Sequence, residues 1–262
     1  MSMRLDAWLV QNGLFGGRDT AKRHIEAGDV TVNGRVVTKP SAPITADDTV
    51  CCNVQERYVG RGGYKLEKAI EAADLHLNGV VAMDVGASTG GFTDCMRQHG
   101  ARLVYAVDVG SNQLHTKLRE DAAVVCLEHT DIRDAAVCEY IHETPSFCSV
   151  DVSFISLSQV LPSTLNLLSP DARLVCLIKP QFEAGRSAVG KNGVVKDRAV
   201  HRAVLCDLLS CFSEYGCGCR MLTYSPIRGG EGNIEYLAVL CRGEHNALFD
   251  IKALVDEAFT RL

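Results

Sequence analysis

The stretch Val80–Gly91, VVAMDVGASTGG, decides the fold of this 262-residue chain. It begins as an apolar run of strand length and continues with three glycines, Gly86, Gly90 and Gly91, ahead of Phe92. Strands buried on both faces read as near-continuous apolar runs, and glycines permit the tight backbone turn that leads into a helix. The stretch therefore predicts a buried strand, a glycine-rich turn and a helix.

Strand-like and helix-like segments alternate beyond this turn. Such alternation indicates an α/β fold in which helices cover both faces of a parallel sheet. Two later strand-like runs follow each other closely, so we expect an antiparallel hairpin at one edge of the sheet. Strands are predicted at 80–85, 103–108, 123–127, 146–152, 173–179, 220–225 and 234–241, and helices at 92–99, 112–119, 157–168, 197–215 and 247–261.

The N-terminal segment has a different pattern, with two short helices before a hairpin. Leu5 and Leu9 keep helical spacing, Gly28 closes the second helix, and Asn33-Gly34 is a strong hairpin signal. We therefore expect a small α+β domain over residues 1–56. A glycine-rich junction over 57–68 is then followed by the large α/β domain over 69–262.

The net charge of the chain limits how it could bind a nucleic acid. The formal net charge is −5, which excludes coating of a polyanion by bulk charge. Any RNA site must be a local basic patch, and residues 1–68 supply ten Lys or Arg against eight Asp or Glu. Exposed charge is the ordinary state of Lys and Arg, so this excess by itself also fits a solvated surface.

The twelve cysteines do not form a recognisable metal or disulfide pattern. Many lie inside apolar runs, as expected of buried thiols in a reducing compartment, and no charged-then-apolar leader is present. Cys51-Cys52 and Cys217-Gly218-Cys219 lack the paired spacing of a zinc site. No apolar run reaches the roughly 18 residues of a membrane span. We expect a soluble, cytoplasmic protein with no structural metal.

Acidic residues are predicted at the ends of the first three strands, with Asp131 ending the third, where an open sheet binds ligands. Asp84 leads the glycine-rich turn, whose spacing is neither that of a dinucleotide site nor that of a phosphate loop. It is typical of S-adenosylmethionine sites, in which Asp84 would lie near the methionine end, Asp108 on the ribose and Asp131 at the adenine edge. Each Asp alone could instead be a helix cap or turn residue. The predicted cofactor-binding residues are Asp84, Gly86, Ser88, Thr89, Gly90, Gly91, Phe92, Asp108 and Asp131.

Four charged residues stand in apolar or glycine-rich surroundings and form the predicted catalytic set: Lys65, Asp151, Lys179 and Glu235. A ribose 2′-hydroxyl needs a base before it can attack a sulfonium methyl, and a lysine can serve if its neutral form is favoured. Lys179 is the predicted base, and the charge of Lys65 would favour that neutral form. The two carboxylates would position the lysines and the ribose. The alternative is a buried ion-pair network, which stability alone rarely justifies.

The N-terminal motifs resemble an S4 RNA-binding domain. Arg4-Leu5-Asp6, the Lys22-Arg23 helix and Val32-Asn33-Gly34 carry this resemblance. In that family the helical face and the hairpin loop grip structured RNA.

The chain as a whole resembles the TlyA family, in which an S4 domain is fused to an FtsJ-like methyltransferase domain. The resemblance runs through Arg61–Leu66, the Asp84 turn, Asp108–Gly110, Lys179–Gly185 and Gly232–Glu235. It implies a Rossmann-like S-adenosylmethionine-dependent methyltransferase sheet with a small N-terminal α+β S4 domain.

The resemblance also implies an activity and a partner. Family members methylate the 2′-hydroxyl of cytidine in ribosomal RNA, commonly in the large subunit and in some members also in the small one. The short N-terminus resembles members restricted to 23S rRNA, so the 50S subunit is the expected partner. The expected RNA-binding residues are Arg4, Arg18, Lys22, Arg23, Arg35, Lys39, Arg61, Arg186 and Lys191, the last two in the loop 181–196.

Two positions depart from the family pattern, and three other functions stay open. Asp131 stands where many relatives have Asn, and Gly60 replaces a usual Ser. An S4 adaptor with an inactive methyltransferase fold would not need the intact catalytic set. A haemolysin would need a membrane-active segment, and none is visible. A base N-methyltransferase would usually show Asn-Pro-Pro-Tyr or Asp-Pro-Pro-Tyr where Asp151–Phe154 stands.

Overall fold

The computed structural model describes residues 2–15, 17–52, 56–185, 188–229 and 232–262. These residues divide into two compact units, Met1–Gly60 and Arg61–Leu262. The predicted junction over 57–68 straddles this division. Its second half lies in a helix, Gly62–Ala72, which belongs to the larger unit and carries Lys65.

The first unit is a small α+β structure whose helices and strands enclose a separate apolar core around Leu5, Leu9, Ile25 and Val30. Asn33 and Gly34 both have positive φ, 52° and 76°, as the predicted two-residue hairpin requires. In chain order the elements are β1 Met3–Arg4, α1 Leu5–Gln11, α2 Arg18–Ala27, β2 Val30–Val32, β3 Arg35–Val36, β4 Pro43–Ile44 and β5 Val50–Cys52. Strands β3, β2 and β5 form one small antiparallel sheet, and β1 pairs with β4.

The second unit is built on a sheet that contains seven strands among the described residues. Its elements are α3 Gly62–Ala72, β6 Val81–Val85, α4 Gly91–Gln98, β7 Leu103–Val107, α5 Thr116–Arg119, β8 Val124–Leu127, β9 Phe147–Val150, α6 Leu157–Asn166, β10 Arg173–Ile178, α7 Pro180–Glu183, α8 Arg198–Glu214, β11 Cys217–Tyr224, β12 Tyr236–Arg242 and α9 Ile251–Arg261. A 3₁₀ helix, Ala135–Tyr140, lies between β8 and β9.

The order of strands across the sheet is β11-β12-β10-β9-β6-β7-β8. The five strands from β10 to β8 are parallel, and β12 runs antiparallel to both β10 and β11. The predicted antiparallel pair at one edge is therefore confirmed. Strand β6 lies where the order changes direction, because β7 and β8 follow on one side and β9 and β10 on the other. Ligands of open parallel sheets bind at this point, outside the carboxyl ends of the strands.

Two sequence predictions about this sheet were wrong in detail. The predicted helix over 112–119 begins only at Thr116, because the N–H groups of residues 112, 113 and 114 donate to the carboxylate of Glu128 instead of turning into a helix. The third strand ends at Leu127, so Asp131 lies in the loop beyond it and not at its last residue. No helix among the described residues is long and apolar enough to cross a membrane.

Candidate active site

The glycine-rich turn after β6 passes very close to the end of β9. Gly86 and Gly90 have φ of 86° and 93°, in the left-handed region that favours glycine. A Cβ at Gly86 would lie 2.2 Å from the carbonyl oxygen of Asp151, and one at Gly90 would lie 2.3 Å from the side chain of Leu118. The backbone path therefore favours glycine at both positions, and at Gly86 the neighbouring main chain also leaves no room for a Cβ.

Asp108 fastens this turn to the loop after β7. Its carboxylate accepts the N–H of Ser88 and the N–H of Gly110, each at 2.7 Å. Beside it opens a cavity of about 630 Å³ lined by Gly86, Ser88, Asp108 and Asp131 among others, here named the cofactor cavity. Its volume lies within the range of about 300–1,000 Å³ usual for small-molecule sites. Asp108 therefore lines this cavity, and its contact with a ribose stays a prediction.

Asp131 lines the same cavity, and its carboxylate forms an ion pair with Arg133. Arg133 donates to both carboxylate oxygens, with Nε 2.9 Å from Oδ1. This guanidinium lowers the pKa of Asp131 below its ordinary value.

Asp84 lies behind the turn and does not face the cavity. Its side chain is fully buried and accepts hydrogen bonds from Thr93 Oγ1 at 2.6 Å and Ser149 Oγ at 2.8 Å. Burial raises the pKa of Asp84 to about 6, although the two hydroxyl groups partly offset the effect. Asp84 is not among the described residues that line the cofactor cavity, and its carboxylate links β6 to β9 and α4. Its contact with the methionine end of a ligand stays a prediction.

A second, smaller cavity of about 130 Å³ adjoins the turn on the side of α3. It is lined by Lys65, Thr89, Gly91, Phe92 and Asp151 together with other residues of the turn. Asp151 also lines the cofactor cavity, so one residue borders both spaces. The predicted turn residues and two of the four predicted catalytic residues are therefore brought together.

The four predicted catalytic residues form two ion pairs. Lys65 Nζ lies 2.5 Å from Glu235 Oε2, and Lys179 Nζ lies 2.6 Å from Asp151 Oδ1. Lys179 also donates a hydrogen bond to Ser153 Oγ at 3.0 Å. Lys65 is on α3, whereas the other three directly follow β9 and β10 or precede β12. We name Lys65–Glu235 the enclosed pair and Lys179–Asp151 the open pair.

Sequence reasoning missed several residues of this region. Gln113 accepts a hydrogen bond from Ser88 Oγ at 3.2 Å and lines the cofactor cavity. Glu128, which bonds three successive N–H groups and Arg119, holds the Gln113 loop in place. Burial opposes its ionisation, but these donors outweigh burial and lower the pKa of Glu128 to about 2. Only an acidic residue after an apolar strand could have signalled it.

Phe154 was also missed, although its position is unusual. It follows Ser153, lines the cofactor cavity, and has a φ of 65° that a bulky residue rarely adopts. Its side chain is 91% exposed, and its ring centroid lies 4.9 Å from that of Phe182. An exposed aromatic in the loop after Asp151 has no signal in a single sequence.

The predicted RNA-binding residues of the first unit are partly neutralised by neighbouring acids. Arg4 and Arg18 both reach buried Asp6, whose pKa the Arg4 bond lowers to about 2. Lys22 pairs with Asp19, and Arg23 pairs with Glu56. Arg35 and Lys39 are exposed, and no carboxylate of the described residues pairs with either.

The remaining predicted RNA contacts belong to the second unit. Arg61 donates to the carbonyl oxygen of Arg228 at 2.8 Å, and Lys191 is exposed. Arg186 lies outside the described residues. Within the described part of the chain, no group of three or more His, Cys, Asp or Glu side chains could hold a metal ion.

Comparison with protein families assigns both units. The FtsJ-like methyltransferase family matches residues 58–242, and the S4 domain family matches residues 3–50. The chain is therefore an enzyme of the methyltransferase class, with S-adenosylmethionine as its cofactor. The predicted Rossmann-like sheet with an N-terminal S4 domain is confirmed. The Gly86 approach, the Asp108 carboxylate and the cofactor cavity together fit this ligand, which carries a ribose and an amino acid.

Individual relatives indicate which family of FtsJ-like methyltransferases includes this chain. A candidate rRNA methyltransferase of Bacillus subtilis, YqxC, is 47% identical over 89% of this chain and 84% of its own length. The 16S/23S rRNA (cytidine-2′-O)-methyltransferase TlyA of Mycobacterium tuberculosis is 38% identical over 97% of this chain and 94% of its own. A solved candidate hemolysin of Streptococcus thermophilus is 42% identical, with a TM-score of 0.81 over 99% of this chain and 96% of its own. The chain belongs to the TlyA family.

Proposed function

We propose that this enzyme methylates the 2′-hydroxyl of a cytidine in ribosomal RNA, with the 23S rRNA of the 50S subunit as its main substrate. The observation that carries the proposal is the pairing of two lysines with two carboxylates around cavities that share Asp151. The cytidine and the rRNA come from the name of the Mycobacterium tuberculosis relative, which is similar over nearly the whole chain.

A ribose hydroxyl is a weak acid, so methylation at neutral pH needs a group that removes its proton. The bound cofactor supplies a methyl group already activated on a sulfonium. In our proposal Lys179 accepts the hydroxyl proton in its neutral form, and Asp151 and Ser153 fix its amine at 2.6 and 3.0 Å. The proton then leaves the site through Lys179 after transfer.

Lys65 has the complementary task of holding the ribose oxygen as its negative charge develops. Lys65 lines the smaller cavity together with Asp151, and Glu235 Oε2 lies 2.5 Å from its ammonium. A preoriented cation at the developing charge contributes more than one that must reorganise during the reaction. The two lysines thus divide the work between proton removal and charge stabilisation.

The S4 unit would bind the RNA beyond the reacting nucleotide. Arg35, beside the Asn33-Gly34 turn, and Lys39 are the exposed cations best suited to phosphates, because no described acid competes for them. The other predicted cations of this unit would have to exchange their carboxylate partner for a phosphate before they bind RNA: Arg4, Arg18, Lys22 and Arg23. Since its proposed substrates are ribosomal subunits, we place the activity in the cytoplasm.

The small subunit is the second candidate substrate, since the Mycobacterium tuberculosis relative is named for both 16S and 23S rRNA. The test is transfer of radiolabelled methyl from S-adenosylmethionine to separated 30S and 50S subunits. Label on 50S alone supports the proposal, and label on both widens the substrate range.

The Lys179→Ala variant is the catalytic control, and Lys252→Ala, an exposed lysine on α9, is the matched surface control. Label should be lost in the first and kept in the second. No label on either subunit, with cofactor bound, would reject the proposed methylation of ribosomal RNA and favour the S4 adaptor interpretation. Release of haemoglobin from red cells by the purified protein would favour the haemolysin alternative.

A further inference from the structure

A second large concavity of the second unit lies outside the site described above. Its volume is about 730 Å³, and its described lining includes three cations, Lys191, Lys196 and Arg228, and no carboxylate. Cations attract a polyanion, and no carboxylate of the described lining competes for these three. The rest of the described lining is Asn192, Gly193, Val194 and Gly232, so main-chain groups are close by.

The segment that carries the two lysines is held in place by hydrogen bonds to the buried side chains of Asn233 and His201. The side chain of buried Asn233 donates to the carbonyl oxygen of Gly193 at 2.9 Å and accepts the N–H of Val195 at 3.2 Å. The carbonyl oxygen of Val195 is in turn bound by the ring of buried His201 at 3.0 Å. Lys191 and Lys196 therefore flank an anchored stretch, which lowers the entropy cost of binding a ligand there.

The third cation is fixed by main-chain oxygens. Arg228 Nε donates to the main-chain oxygen of Leu262 and Nη1 to that of Gly232, each at 2.8 Å. Lys191 and Lys196 are exposed, and among the described residues neither has an ion pair. The wall therefore offers one rigid guanidinium and two ammonium groups that are free to reach a ligand.

We name the lining that contains Lys191, Lys196 and Arg228 the basic wall. Short stretches of chain join it to the enclosed pair. Asn233, which anchors the wall, is two residues from Glu235, and the N–H of Gly229 donates to the carbonyl oxygen of Asn233 at 2.9 Å. Gly229 lies directly against Glu235, since a Cβ there would be 1.9 Å from Oε1. Binding at the wall thus takes place next to the residues that hold Lys65.

We propose that Lys191, Lys196 and Arg228 form a phosphate-binding site for the RNA strand that flanks the methylated nucleotide. The inference rests on the proposed function, because it takes an RNA substrate as given. Phosphodiester groups match the wall in charge and size, and contacts of this kind fix register without reading sequence. The S4 unit and this wall would then hold the RNA at two separate places.

The test compares three single variants, Lys191→Ala, Lys196→Ala and the surface control Lys252→Ala. Binding of an rRNA fragment and methylation of 50S subunits are measured from 50 to 300 mM salt. Losing one phosphate contact should lower RNA affinity about fivefold near 150 mM salt and reduce the slope of log K against log salt by about 0.7–0.9. Lys252→Ala should do neither, and cofactor affinity should be unchanged in all three.

Charge-conserving Lys→Arg variants should restore both affinity and slope. Slopes equal to that of the control would overturn the proposal, and so would an equal loss of cofactor affinity. Inorganic phosphate alone, if it binds with the same lysine dependence while RNA does not, would assign the wall to a free anion and also overturn it. Failure of the proposed function gives a different result, because the wild-type enzyme would then methylate neither subunit. The salt dependence of RNA binding would still distinguish the lysine variants from the control.

Discussion

The enclosed pair and the open pair have the same chemistry but differ in how far their carboxylates are covered. The side chain of Glu235 is 2% exposed, whereas that of Asp151 is 20% exposed, and the two lysines are nearly equal at 10% and 11%. Asp151 borders both cavities, and Lys179 has an additional hydroxyl partner in Ser153. The comparison teaches that two lysine–carboxylate pairs can differ in exposure, and under the proposed mechanism the enclosed pair would hold a fixed cation while the open pair would supply the base.

The largest expected effect is the loss of the open pair's amine. Lys179→Ala should lower the single-turnover rate of methyl transfer by about a thousandfold, because general base catalysis contributes on that order. Cofactor affinity, measured by isothermal titration calorimetry, should change little.

Lys252→Ala provides the matched control, with an unchanged rate. If Lys179→Ala instead weakened cofactor binding as much as it slowed transfer, Lys179 would be a ligand of the cofactor and not the base.

The second effect separates the pairs by stability. Glu235→Ala leaves the buried ammonium of Lys65 without its partner, and breaking a buried pair in this way costs about 3–5 kcal/mol. Asp151→Ala should cost only about 1 kcal/mol, because Lys179 keeps the Ser153 hydroxyl and its partner is more open to water. Urea unfolding of both variants measures the difference, and equal losses would contradict the comparison.

A third test uses a buried carboxylate that has no lysine. Burial raises the pKa of Asp84 from 3.8 to about 6. Between these two pH values the carboxyl group is therefore protonated in the folded chain and ionised in the unfolded chain. The free energy of unfolding should therefore fall by about 3 kcal/mol through this group as the pH rises from about 4 to about 6.

In Asp84→Asn this component of the pH dependence should vanish, because the amide does not titrate. Unfolding of both proteins by guanidinium chloride at several pH values measures it. A variant with the same pH profile as the wild type would show that Asp84 ionises without cost.

The smallest expected effect concerns the hydroxyl that only the open pair has. Ser153→Ala should lower kcat about tenfold and leave KM for the RNA nearly unchanged, since the hydroxyl orients the Lys179 amine. Ser210→Ala on α8 is the control for the same change on an exposed surface. A rise in KM with unchanged kcat would make Ser153 a substrate contact instead.

Much of the fold could be read from local patterns. Continuous apolar runs predict the parallel strands because both of their faces are buried, and Asn33-Gly34 predicts a hairpin because both positions need positive φ. The pattern was misleading at residues 112–114, where Glu128, the residue directly after β8, accepts the N–H groups that a helix would use. Such a contact depends on strand pairing and leaves no periodic signal.

The candidate site could be predicted by residue but not by arrangement. The sequence by itself determined that an acidic residue and a glycine turn follow β6 and that charged residues stand in apolar surroundings at 65, 151, 179 and 235, because residue type and spacing are local properties. Only the tertiary structure decided which lysine pairs with which carboxylate, that Asp84 is buried behind the turn, and that Lys191, Lys196 and Arg228 share one wall. These depend on distances between segments up to 170 residues apart, which are set by the order of strands in the sheet.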